Sequence, residues 1–277
     1  MNAPAPPSDP GLVPLCSLRV DSRLVDAGLV VAEDFVSAAE AEELLRAIDA
    51  LPWDATLKRR TQHYGRRFDY LHKSVGADEQ VEPLPECIRA LVMRLMAHRP
   101  LLVPWRSMST IQCTVNEYLP GVGIASHVDT HSAFEDGIAA LTLSAGCAFR
   151  MQRAATDASE AADVSVWLPP RSMLVMAGAA RYEWRHSISG RKYDRVQSRE
   201  AQDLAPATCA APAADLAADS SELVPDAGWT WVPRGRRVSV TIRSVLSSGT
   251  CNCGWPLLCD SRPNGARPLL PTRIHAE

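Results

Sequence analysis

No one sign of charge dominates this 277-residue sequence: 29 lysines and arginines stand against 32 aspartates and glutamates, for a net charge of -3 and a pI near 6.2. That balance excludes a protein whose overall field draws in a polyanion, so any nucleic-acid surface has to be a local cluster. Long apolar runs are missing too. No stretch approaches the roughly 18 apolar residues of a membrane span, and "MNAPAPPSDPGLVPLCSL" has neither the basic lead nor the apolar run of a signal peptide. The expectation is a soluble protein of the cytoplasm, or of cytoplasm and nucleus, with no membrane partner. Internal repeats and an even spread of cysteine are also absent. In a reducing compartment the eight cysteines suggest core thiols or metal ligands rather than disulfides, and three of them crowd into residues 251–259. What is plentiful is hydrophobic content, 46%, enough for a sizeable core.

Five prolines in the first fourteen residues predict a flexible leader over 1–14. In "VSAAEAEELLRAIDALPW" Ser37 and Glu40 fit a capping box, Leu44, Leu45, Ile48 and Leu51 form an apolar stripe, and Pro52 ends the helix. A second helix is predicted in "PLPECIRALVMRLMAHRP", with Pro85 near its first turn and Ile88, Leu91, Val92 and Leu95 on one side. From about residue 109 short β-like runs follow: "STIQCTVNEYL", "IAALTLSA", "CAFRMQR", "VSVWLPP", "SMLVMAG", "YEWRHSI" and "RRVSVTIRSVL". Helices first and strands after predict an α+β fold with a jelly-roll core. Nine of the twenty residues 201–220 are alanine with no clean amphipathic period, so 197–227 is expected to be a loose surface loop.

In "NEYLPGVGIASHVDTHSAFED" the residues His127, Asp129 and His131 fall two apart. On an extended segment residues two apart point to the same side, so His127 and Asp129 can aim an imidazole and a carboxylate at one point. His186, 57 residues past Asp129 in "RYEWRHSISG", is the best third ligand. Two histidines and one carboxylate on one face of an octahedron suit a non-haem Fe(II) oxygenase. The bland reading is a surface His-x-Asp and a histidine capping a strand end. Arg237 and Arg243, six apart in "RRVSVTIR", tip the balance: two inward guanidiniums in a β-core need anions, and a dicarboxylate co-substrate supplies them.

Taken in order, "NEYLPG", His-x-Asp, His186 and "RRVSVTIR" resemble the AlkB-homologue family of Fe(II)- and 2-oxoglutarate-dependent dioxygenases. The resemblance implies a double-stranded β-helix, with iron held by His127, Asp129 and His186, and 2-oxoglutarate held by Asn116, Tyr118, Arg237 and Arg243, O2 being the second co-substrate. "IASHVDTHSAFEDGIAALTLS", "PPRSMLVMAGAARYEWRHSI" and "RKYDRVQ" are similar to one branch in particular, AlkB homologue eight, over roughly residues 30–260. That branch implies hydroxylation of a modified wobble uridine, 5-methoxycarbonylmethyluridine, in the tRNA anticodon loop. The dioxygenase domain is expected over 15–249.

Cys251, Cys253 and Cys259 in "CNCGWPLLCDSR" are more economically read as zinc ligands than as a disulfide; the alternative is three redox-sensitive thiols. By resemblance the fourth ligand is His131, so a zinc-binding tail over 250–260 would be clamped to the active-site loop, with 261–277 flexible. Lys58, Arg59, Arg60, Arg66 and Arg67 fall within ten residues of "LKRRTQHYGRRFDY", with His63 and Tyr64 between them. Cations beside aromatic rings suit a phosphate backbone with an unstacked base on a ring, although charge runs are more often solvated faces. "RKYDR" and "RGRR" are expected to extend that patch. Unlike the animal form of the branch, the sequence shows no RNA-recognition motif ahead of the oxygenase and no methyltransferase after it. The substrate's methyl ester is then expected to come from a separate methyltransferase, and tRNA affinity to be weaker or supplied by an RNA-binding partner. Two other functions fit the same residues: oxidative demethylation of N-alkylated nucleic acid or protein, and an inactive, zinc-stabilised RNA-binding module.

Overall fold

The computed structural model describes residues 18–19, 24, 26–69, 74–80, 82–97, 103–105, 107–155, 160–197, 228–246 and 251–262, with backbone alone at 18–19, 67–69 and 74–80. The expected leader, residues 198–227 of the alanine-rich segment and residues 263–277 lie outside this set.

Helix α1, Ala38–Asp49, starts where its capping box predicts. Ser37 Oγ accepts the Glu40 N–H at 3.2 Å and Glu40 Oε2 accepts the Ser37 N–H at 2.8 Å, so two end groups are satisfied reciprocally. Helix α2, Glu86–Ala97, buries Ile88, Leu91, Val92 and Leu95, the stripe read from the sequence. Among the described residues no helix is long and apolar enough to cross a membrane.

Among the described residues fourteen strands, numbered in chain order, form three antiparallel sheets. The large sheet runs β1 (Leu18–Arg19), β2 (Leu29–Ala32), β10 (Met173–Met176), β7 (Phe134–Ser144), β14 (Arg237–Val245), β5 (Ile111–Tyr118), β3 (Thr61–Asp69), β4 (Ser74–Gln80). The smaller runs β6 (Ile124–His127), β11 (Arg185–Ile188), β8 (Cys147–Arg153), β9 (Ala162–Leu168). β12 (Tyr193–Gln197) and β13 (Trp229–Pro233) pair separately, so Gln197, expected in the loop, closes a strand. A short helix, α3 (Gly178–Tyr182), precedes β11.

Side chains alternate across a strand, and that alternation sorts the large sheet into two faces. Cys113 and Val115 of β5 with Val238, Val240 and Ile242 of β14 join Leu44, Ile48, Leu91 and Leu95 of the helices in one core. Ile138, Leu174 and Met176 point the other way and pack with Phe149, Met151 and Ile188 of the smaller sheet in a second core. Each fully buried aliphatic side chain contributes roughly 1.5–3 kcal/mol. The polar positions of the same strands, Thr114, Asn116, Ser239 and Thr241, line a cavity between the sheets. This is the antiparallel two-sheet arrangement of a jelly roll.

The basic stretch at 58–67, given no secondary structure from the sequence, contributes a strand: Thr61–Asp69 adds to the large sheet beside β5, with Thr61 opposite Asn116 and Tyr64 opposite Cys113. Its charges masked the alternation of a strand.

Candidate active site

Strands β6 and β11 are neighbours, and His127 lies directly opposite His186 in their register. The turn leading into β6 needs its glycines: Gly121 adopts φ +87°, and a Cβ on Gly123 would meet the Ile188 carbonyl oxygen at 2.1 Å. Asp129 follows two residues after His127. The imidazole rings stand 4.3 Å apart, His127 Nε2 is 3.5 Å from Asp129 Oδ1, and one donor atom from each of the three residues lies within 4.8 Å of the others. His127 Nδ1 donates to the Ala125 carbonyl at 2.8 Å, which fixes the tautomer and leaves Nε2 as a lone-pair donor toward the site.

Electrostatics favour a cation among these groups. Burial, together with the neighbouring His127, pushes the His186 pKa down to about 3, so its imidazole is neutral. Burial alone would raise the Asp129 pKa. The facing Arg243, whose Nε donates to Oδ2 at 2.8 Å, and the histidines outweigh it and hold the carboxyl well below its usual range. Two imidazoles and an ionised carboxylate are the donor set of a facial triad.

The triad opens on a cavity of about 250 Å³. Arg237, 4% exposed, lies over the Tyr118 ring at 5.2 Å. Its Nη2 reaches Thr142 Oγ1 at 2.9 Å, while its Nε finds no partner. Among the described residues no carboxylate pairs with Arg237, so a buried guanidinium faces the cavity with a donor to spare, and an anionic ligand would satisfy it. Asn116 accepts from Arg59 Nη1 at 2.7 Å. The two arginines of β14 therefore divide their work: Arg237 faces the cavity unpaired, and Arg243 bridges Asp129 and Gln112. Phe149, Leu168, Leu174 and Met176 supply the apolar walls.

A model of the 2OG-Fe(II) oxygenase superfamily matches residues 28–243. The chain belongs to that superfamily, in its AlkB family. It is 34% identical over 256 residues to the "Alkylated DNA repair protein ALKBH8 homolog" of Arabidopsis thaliana, covering 88% of this chain and 65% of that protein. It is 36% identical over 261 residues to "tRNA (carboxymethyluridine(34)-5-O)-methyltransferase alkbh8" of Xenopus tropicalis, covering 88% of this chain and 36% of that one. Human "Alpha-ketoglutarate-dependent dioxygenase alkB homolog 4" is 30% identical over 193 residues, 59% of this chain and 62% of the relative. The oxygenase thus spans less than two thirds of each of these relatives. Family membership brings with it Fe(II), 2-oxoglutarate and O2.

The C-terminal cysteines of the oxygenase meet His131. Donor atoms of His131, Cys253 and Cys259 lie within 4.8 Å of one another, with His131 Nδ1 3.5 Å from Cys253 Sγ. Cys251 is the looser member, outside that group of three, although it interacts with both other thiols. Burial and the nearby Arg181 push the His131 pKa down to about 4, so its ring too is a neutral donor. Three thiols and an imidazole make a donor set suited to tetrahedral zinc. The tail is tied down independently: Asp260 accepts from Ser132 N–H at 3.1 Å and from Ser132 Oγ at 2.5 Å, and Trp255 stacks on Tyr182 at 5.2 Å.

The basic stretch is only partly available to a ligand. Tyr64 is 6% exposed and packs under the helices, its hydroxyl donating to Gln62 Oε1 at 3.0 Å. Strand alternation turns it to the core, so no face of its ring is open to a base, contrary to the expectation for that residue. Arg60 forks onto Glu117 at 2.5 and 2.8 Å. His63, on the cavity side, meets Thr114 Oγ1 at 3.3 Å, and Arg66 Nε donates to the Ser109 carbonyl. Lys58 is exposed and Arg59 lines the cavity; the Arg67 side chain lies outside the described set. Nor do "RKYDR" and "RGRR" form a simple patch. Arg191 and Arg234 hold the fully buried Asp194, and Arg236 holds Glu117 and Asp49.

Sequence reasoning missed Arg181. It is 2% exposed and donates to the Asp129 and Thr130 carbonyls at 2.7 and 2.8 Å. A cation in a five-residue helix leaves no periodic signal.

Proposed function

We propose that the chain hydroxylates a modified wobble uridine, 5-methoxycarbonylmethyluridine, in the anticodon loop of tRNA. The observation that carries the reading is the His127–Asp129–His186 donor set opening on a cavity whose wall is the buried Arg237, with a guanidinium nitrogen to spare. Support for tRNA comes from likeness to a relative whose name refers to a tRNA carboxymethyluridine.

In this assignment His127 Nε2, an Asp129 oxygen and a His186 nitrogen hold Fe(II). The metal supplies the coupling of 2-oxoglutarate decarboxylation by O2, giving succinate and CO2, to insertion of one oxygen atom into a C–H bond. The residues of the chain bind and orient. Arg237, over Tyr118, takes one carboxylate of 2-oxoglutarate, and Asn116 sets its wall. Arg243 keeps Asp129 ionised and aimed. The apolar side chains exclude water from the reacting carbon. Lys58 and Arg59, at the mouth, meet the RNA backbone. Cys251, Cys253, Cys259 and His131 hold structural zinc.

The test is nucleoside mass spectrometry of tRNA bearing 5-methoxycarbonylmethyluridine after incubation with the protein, Fe(II), 2-oxoglutarate and ascorbate, with Asp129→Ala as control. A one-oxygen gain that the variant lacks is expected. Succinate without that gain removes the tRNA assignment, and formaldehyde release would mark demethylation instead.

A further inference from the structure

We propose that Arg181 is a positioning residue through which the Cys251–Cys253–Cys259–His131 cluster, when it holds zinc, sets the loop 127–131 and thereby the affinity for iron. The inference rests on the metal assignments above.

Arg181 is a buried cation whose nearest carboxylates, Asp129 and Asp136, act on it only through space and make no ion pair with it. Both Nη atoms donate to backbone carbonyls of Asp129 and Thr130, its Nε has no partner, and no carboxylate of a described residue lies within ion-pair distance. Such a group is costly unless its charge is compensated. Its guanidinium carbon sits 4.7 Å over the Tyr182 ring. Beyond that ring lies the cluster. His131 packs edge-on to Tyr182 at 5.0 Å and hydrogen-bonds its backbone, and Cys251 and Cys259 pack against it.

Charge then follows from coordination chemistry. Zn(II) bound by three thiolates and a neutral imidazole leaves one net negative charge at the cluster. The loaded cluster therefore adds negative charge on the far side of the Tyr182 ring from Arg181, beyond what Asp129 and Asp136 supply. Losing it frees the guanidinium to seek water and slackens its grip on the two carbonyls that fix Asp129, with no iron ligand removed. Outer contacts of this kind change metal affinity by roughly 10- to 100-fold.

The experiment is an anaerobic Fe(II) titration of the full chain in saturating 2-oxoglutarate, read by the visible charge-transfer band, with zinc measured by elemental analysis. Wild type, Cys253→Ser, Arg181→Lys and the double variant are compared. We expect Cys253→Ser to lose zinc and weaken Fe(II) binding roughly tenfold, Arg181→Lys to weaken it similarly while keeping zinc, and the double variant to be no worse than Arg181→Lys alone. Unchanged Fe(II) affinity in Cys253→Ser, or additive losses, overturns the proposal. Tyr182→Leu removes the intervening ring and leaves both ligand sets whole, so it serves where Arg181→Lys does not fold: its Fe(II) affinity should no longer follow zinc. A wild type without the band, or without zinc, overturns the metal assignment itself and the coupling with it.

Discussion

Glu117 should make the fold acid-sensitive by an amount the structure fixes. Its side chain, 2% exposed, sits on the helix side of β5 and takes both fork atoms of Arg60 and the Nε of Arg236 at 2.7 Å, while Arg236 also grips Asp49 at the end of α1. Pairing with Arg60 first, and with Arg236, lowers its pKa from 4.5 to about 2 against the opposing effect of burial. A carboxyl lowered that far corresponds to about 3 kcal/mol. Arg60 and Arg236 are 42% and 34% exposed, so solvent screening trims this to about 2 kcal/mol. The folded pKa is the lower one, so the contribution is complete above pH 4.5 and disappears as pH falls toward 2. Urea unfolding of wild type and Glu117→Gln across pH 7 to 3 measures it. The variant should be less stable by about 2 kcal/mol at pH 7, with the gap closing below pH 4.5. A gap that stays constant between pH 6 and pH 3 would refute the ion-pair account and leave shape as the only cause.

Arg237→Gln should weaken 2-oxoglutarate binding by roughly 1.5–3 kcal/mol, about 10- to 150-fold, through loss of a charge-assisted pair; co-substrate titration with unaltered affinity would show that the cavity holds the acid elsewhere. Tyr64→Phe should cost about 1 kcal/mol of stability and leave tRNA affinity unchanged, whereas Arg59→Ala should weaken tRNA binding and reduce its salt slope by about one. Filter binding across salt concentrations separates the two. Asp260→Asn should leave zinc stoichiometric yet speed its release to a chelator, because the two Ser132 contacts that seat the tail are weakened; an unchanged release rate would mean the cysteines alone hold it.

The parts legible in the sequence are those whose causes are local. Ser37 and Glu40 announce α1 because the capping box is a three-residue interaction, and the seven runs after residue 109 became strands because each is short, rich in apolar residues and bounded by turn residues. His127 and Asp129 are readable because spacing two in an extended segment fixes a common side. Tyr64 was misjudged for the complementary reason: flanking arginines hid the period-two pattern that turns it inward. The Glu117 network escaped notice because Arg236 and Asp49 lie 187 residues apart, and Asp194 because its role depends on Arg234, 40 residues downstream. Arg181 could only be found once the carbonyls it holds had been placed.

The two faces of the large sheet have a consequence for engineering. Along β5 and β14, positions 114, 116 and 118 and positions 237, 239, 241 and 243 look into the cavity, while Ile111, Cys113, Val115, Val238, Val240 and Ile242 between them carry the hydrophobic core. Reactivity and foldability are interleaved residue by residue on the same two strands. A combinatorial library restricted to positions 114, 239 and 241, which line the cavity beside the cofactor residues, would vary its shape over a nearly constant scaffold. Shifting the same library by one residue would mostly yield protein that does not fold.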